Sequence, residues 1–162
     1  MRKLILASFT ILVFAILASA QTKISGTQTC AKPDPSYTVQ VGDTAKHVLS
    51  MGQSKCTWPK PIEMEGLQTK DDVGTTVSDV RGNNSRDNGY DVSNMSNGDK
   101  LFVRFQSTTK VKDGVPEVEG KWNFTGGTGK FKNLKGGGTF KGKGNADGSS
   151  TADIEGEYTI GK

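Results

Sequence analysis

Apolar and polar residues alternate with a period of two along much of this chain. Tyr37, Val39 and Val41 alternate with Thr38 and Gln40. Val118, Gly120, Trp122 and Phe124 alternate with Glu117, Glu119, Lys121 and Asn123, and Ala152, Ile154, Gly156, Tyr158 and Ile160 with Asp153, Glu155, Glu157 and Thr159. Successive side chains on a strand point to opposite faces, so each stretch predicts a strand with one buried and one solvated face. Leu101, Val103 and Phe105 alternate with Phe102 and Arg104, which puts bulk on both faces of that strand. Beyond residue 20 no window keeps apolar residues at helical spacing without an intervening glycine or proline.

Turn signals punctuate these stretches at Asp34-Pro35, Gly42-Asp43, Asp87-Asn-Gly89, Asn97-Gly-Asp99, Asp113-Gly114, Gly126-Gly127 and Asp147-Gly148. Two of them predict hairpins: Asp113-Gly114 joins about 99–109 to 115–124, and Asp147-Gly148 joins about 138–145 to 150–160. Strands at this spacing form an antiparallel sandwich or barrel. Only 33% of residues are hydrophobic, and residues 1–20 hold a disproportionate share of them. The remaining core is thin, which favours one closed sheet, and closure also removes exposed edges. The expected fold is all-β, an antiparallel closed or nearly closed barrel of about eight strands over residues 36–162. Residues 21–35 are expected to be an arm held through Cys30.

The first residues carry their own message. Met1-Arg-Lys3 is a short positive segment, Leu4 to Leu17 is apolar, and Ala18-Ser19-Ala20 is a small-x-small cleavage pattern. This predicts a signal peptide over 1–20, cleaved before Gln21. A retained membrane anchor is the alternative, but the apolar run is short for a span. The processed chain is then expected to be soluble and outside the cytoplasm, periplasmic or extracellular, with no membrane insertion. An oxidising compartment makes a disulfide the expected state of Cys30 and Cys56, the only two cysteines. Together with His47, the only histidine, they match no compact zinc-ligand spacing, and no metal or cofactor is expected. Basic and acidic side chains interleave along the chain, so no basic stripe points to nucleic acid.

The 21 glycines cluster most densely in Phe124-Thr-Gly-Gly-Thr-Gly-Lys-Phe131 and Gly136-Gly-Gly-Thr-Phe140. No phosphate-binding loop is present, because Gly129-Lys130 is followed by Phe131 and no glycine run opens a helix. Glycines here suit turns with positive φ and close strand packing. This element resembles the Gly-Gly-Thr-Gly-x-Phe segment of the allene oxide cyclase and dirigent barrel superfamily. The chain is more closely similar to a group of small exported bacterial proteins of unknown function. The shared features are Cys30, His47, Cys56-Thr-Trp58, Asn97-Gly-Asp99, Trp122-Asn-Phe124 and Glu155-Gly-Glu-Tyr158. The resemblance implies an eight-stranded barrel and carries over no catalytic residue.

Candidate ligand-binding residues are Trp58, Trp122, Arg104 and His47. The tryptophans are large enough to fill the core or to line a cavity. Arg104 is expected to point into the barrel mouth and meet an acid or an anionic ligand. His47 titrates near neutrality but has no accompanying nucleophile motif, which favours a hydrogen-bonding role over catalysis. The pairs Glu117/Glu119 and Glu155/Glu157 have the same-face spacing of a two-carboxylate site, although a solvated outer face balanced by lysines explains them as well. The functional expectation is a non-enzymatic barrel that binds a small apolar or amphipathic ligand or acts through its surface. A cyclase- or isomerase-type enzyme and a structural homo-oligomer are the alternatives.

Overall fold

A computed structural model describes residues 21–161, so the expected signal peptide lies outside the described residues. The described residues fold into ten strands: β1 (Thr22–Cys30), β2 (Ser36–Gln40), β3 (His47–Thr57), β4 (Glu63–Met64), β5 (Leu67–Arg81), β6 (Asn84–Met95), β7 (Lys100–Lys112), β8 (Val115–Gly127), β9 (Leu134–Gly144) and β10 (Ser150–Ile160). A single 3-10 turn at Gly129–Phe131 joins β8 to β9.

Every pairing is antiparallel. From β5 to β10 the chain is a meander in which each strand pairs with the next. Then β10 takes up β1, β1 meets β3, and β3 pairs along its length with β5. Eight strands therefore close into a ring, and the barrel is all-β as expected. Both predicted hairpins are present, with Asp113 and Gly114 at φ 51° and 80° in the first turn. The ring is narrowest in hydrogen bonding between β1 and β3, which share only the pairs Thr29–Thr57 and Cys30–Cys56. Cys30 and Cys56 form a disulfide at that seam.

Two expectations need correction. Residues 21–35 are not an arm: β1 is a barrel strand paired with β10 from Thr22–Tyr158 to Cys30–Ser150. Its interior residues, Ile24, Gly26 and Gln28, are mostly small or polar, so alternation did not mark it. The second concerns β2, whose apolar residues face outward. Tyr37 and Val39 are 61% and 66% exposed, while Ser36 and Thr38 point to the barrel side.

That inversion extends across half of the barrel. On β2, β3, β5 and β6 the outward positions include Tyr37, Val39, Leu49, Met51, Val77 and Tyr90, all exposed. The inward positions of β3, β5 and β6 are instead rich in Ser, Thr, Gly and Asp. On β7 to β10 the polarity is the ordinary one, with Val103, Phe105, Trp122, Phe140 and Ile154 inside. The compact apolar core closes one end of the barrel. Ile62, Met64, Met95, Leu101, Phe131, Leu134 and Tyr158 pack there, and Phe131 is completely buried.

Candidate functional site

The barrel encloses a cavity of about 500 Å³. It stays open because of how the aromatic residues lie. A Cβ added at Gly89 would fall 2.1 Å from Phe105 Cζ, one at Gly120 2.6 Å from Phe140 Cζ, and one at Gly156 2.5 Å from Trp122 Cζ2. Each ring therefore reaches over a glycine of an adjacent strand, or of the next one over, where a larger residue would leave no room. Phe105 and Phe140 meet edge to face at 6.0 Å, as do Trp122 and Phe124 at 4.9 Å. These rings form an aromatic wall.

The adjoining wall, from β3 to β6, is polar and acidic. Asp87, Asp91 and Ser93 of β6 line the cavity with Thr76 and Ser78 of β5 and Ser50 and Ser54 of β3. Asp87 accepts hydrogen bonds from Thr109 Oγ1 at 2.9 Å and Ser107 Oγ at 3.4 Å. Asp91 leans over Gly74, where an added Cβ would lie 2.6 Å from Oδ1. Burial pushes the Asp91 carboxyl up to about 7, with a further contribution from the charge of Asp72. Asp72 is 1% exposed, and its own burial raises it to about 6 against the opposing influence of Ser93, Gln28 and Trp58. Gln28 Nε2 donates to Asp72 Oδ2. Asp72 Oδ1 and the buried indole N–H of Trp58 each lack a hydrogen-bond partner.

The four candidate residues divide evenly. Trp58 and Trp122 both line the cavity. Arg104 does not: it is exposed on the outer face, opposite Tyr90 and Asn123, because Val103 and Phe105 occupy the inward positions on either side of it. His47 is 4% exposed but lies outside the cavity at the start of β3. Its Nδ1 bonds Asp43, and its Nε2 lies 3.1 Å from Asp79 Oδ1. Glu117 is on the outer surface with Lys112 Nζ at 2.7 Å and Lys143 Nζ at 3.9 Å, and Glu119 faces outward opposite Lys141. Sequence reasoning missed the aspartates of β5 and β6. Around these aspartates the inward positions are Gly, Ser and Thr, with apolar ones such as Leu67 and Met95 coming near the strand ends, and only the register onto β7 shows which face is interior. Among the described residues no His, Cys, Asp and Glu cluster suits a metal ion.

These features define the class: a closed antiparallel β-barrel with a hollow interior lined by aromatic rings on β7 to β9 and by carboxylates on β6. No family model matches the chain, and no curated protein matches it. Among solved structures it is similar to the pterocarpan synthase dirigent protein GePTS1, with 14% identity and a TM-score of 0.47 over 88% of this chain and 87% of that one. Among the described residues no helix is long and apolar enough to cross a membrane.

Proposed function

We propose that this barrel is an exported binding protein that holds a small amphipathic ligand in its interior and performs no chemistry on it. The observation that carries the reading is the two-sided cavity. An aromatic wall of Phe105, Trp122 and Phe140 removes apolar surface from water, while the Ser, Thr and Asp side chains of the adjoining wall supply the few directional polar contacts that fix orientation. Export is supported by the charged, apolar and small-x-small order of residues 1–20 and by the Cys30–Cys56 disulfide.

Native mass spectrometry of the processed protein, isolated without denaturation, tests the binding function. A reproducible extra mass that disappears on denaturation is expected. Both tryptophans of the chain line the cavity, so their fluorescence reports occupancy directly. A bare mass, with no fluorescence response to amphipathic compounds, would refute the reading.

The outward apolar stripe supports a second reading, in which the barrel assembles with another copy of itself. β2 pairs only with β3, so its other edge is free, and all five of its residues are exposed. Antiparallel pairing of two such edges about a two-fold axis would continue the sheet and bring the stripes together. Light scattering during gel filtration distinguishes a dimer from a monomer, and Val39→Lys is expected to abolish the dimer.

A further inference from the structure

We infer that the ligand held in the cavity is an organic cation, a protonated amine attached to an aromatic or similarly flat apolar group. This inference rests on the binding function proposed above and narrows it to a chemical class.

The argument begins with charge. Asp87 and Asp91 line the cavity, and the buried Asp72 of β5 stands near Asp91, opposite Ser93. No lysine, arginine or histidine lines it: β1, β3, β5 and β7 to β10 contribute no cationic side chain. A cavity that carries carboxylates and no counter-ion is electrostatically incomplete, since buried charges are ordinarily paired. Asp91, a lining residue, makes no side-chain hydrogen bond among the described residues. The missing element is a donor that carries positive charge.

Geometry then specifies what kind of cation. Asp87 and Asp91 are the interior residues on either side of Gly89, and the Phe105 ring lies across that glycine. An aromatic face is thus flanked by two carboxylates on one wall, with Phe140 set edge to face beside it. Ring faces attract cations through their quadrupole, and carboxylates accept charge-assisted hydrogen bonds from N–H donors. An ammonium group at Asp91, with its apolar body against Phe105, Phe140 and Trp122, uses the carboxylate and the aromatic surface at once. A bare metal ion would leave the aromatic wall unused.

The test uses a matched pair of probes in calorimetric titrations of the processed protein: 1-naphthylmethylamine, charged at pH 8, and 1-naphthylmethanol, its neutral isostere. The amine is expected to bind about tenfold or more tightly than the alcohol at pH 8. Asp91→Asn, which keeps the shape of the side chain, is expected to weaken the amine far more than the alcohol and so reduce that preference to less than about threefold. Lowering the pH to 5 should have the same effect, because Asp91 and Asp72 gain protons there and no cationic side chain lines the cavity to offset them. Equal binding of the two probes, or an amine preference that survives in Asp91→Asn, would overturn the inference and leave the binding function standing. Absence of binding by either probe, together with a bare native mass, would overturn both.

Discussion

Removing the disulfide tests the closure of the ring most directly. The perturbation is the double substitution Cys30→Ala with Cys56→Ala, or reduction of the native protein. The two cysteines are 26 residues apart in sequence. Cross-linking a loop of that size restricts the unfolded chain enough to stabilise the fold by about 3.5 kcal/mol on the chain-entropy scale. Little compensation is available locally, because β1 and β3 share only two residue pairs. β1 nevertheless stays on its long ladder with β10, so the barrel should loosen at the seam without falling apart. Urea unfolding followed by far-ultraviolet circular dichroism should show the midpoint falling by roughly 1.5–2 M with the native β spectrum retained in water. Hydrogen exchange should rise first at residues 29–30 and 56–57. An unchanged midpoint would mean that strand pairing alone closes the ring. A chain without β signal in water would mean that the ring has no independent stability. Either result refutes the account of the seam.

Other outcomes follow from the cavity and from the core at its closed end. Asp91 and Asp72 hold protons more tightly in the folded barrel than their ordinary value of 3.8, so unliganded protein should lose on the order of 2–4 kcal/mol as pH rises from about 4 to 7; thermal melts across that range should show the fall, much reduced in Asp91→Asn. Gly89→Ala places a Cβ 2.1 Å from Phe105 Cζ and 2.6 Å from the Thr75 carbonyl oxygen. It should cost about 1–3 kcal/mol in urea unfolding and displace the ring into the cavity, weakening any ligand measured by titration. Phe131 has no exposed surface, and Phe131→Ala should cost about 3–5 kcal/mol in the same assay. A loss below about 1 kcal/mol would contradict the packing described for the closed end.

The strands that were legible in the sequence are those of ordinary polarity. On β7, β8 and β10 runs such as Leu101, Val103 and Phe105 put apolar residues or glycines at alternate, inward positions, and Asp113-Gly114 and Asp147-Gly148 mark turns between neighbours. Where the polarity inverts, the same reasoning assigns the wrong face, as it does for Tyr37 and Val39. A period of two identifies a strand but not which side is the interior. Arg104 shows the same limit. Its strand has bulk on both faces, and only pairing with β6 and β8 puts Val103 and Phe105 inside. The cysteine pairing followed from count and compartment, and the two tryptophans from size. The acidic wall was out of reach, because Asp72, Asp87 and Asp91 are separated by small polar residues that look like loop until register is known.

The pairing of β1 with β10 also constrains when this protein can fold. Thr22 at one end of the described chain sits opposite Tyr158 near the other. The meander from β5 to β10 can grow by successive local hairpins, but β1 has no ladder beyond its two pairs with β3 until the final strand exists. A chain delivered with its N-terminus first therefore cannot complete the barrel until residue 160 has emerged, and its cavity forms only in the last step. Loss of the last strand would therefore strand the first as well, and the cavity would lose two neighbouring walls together.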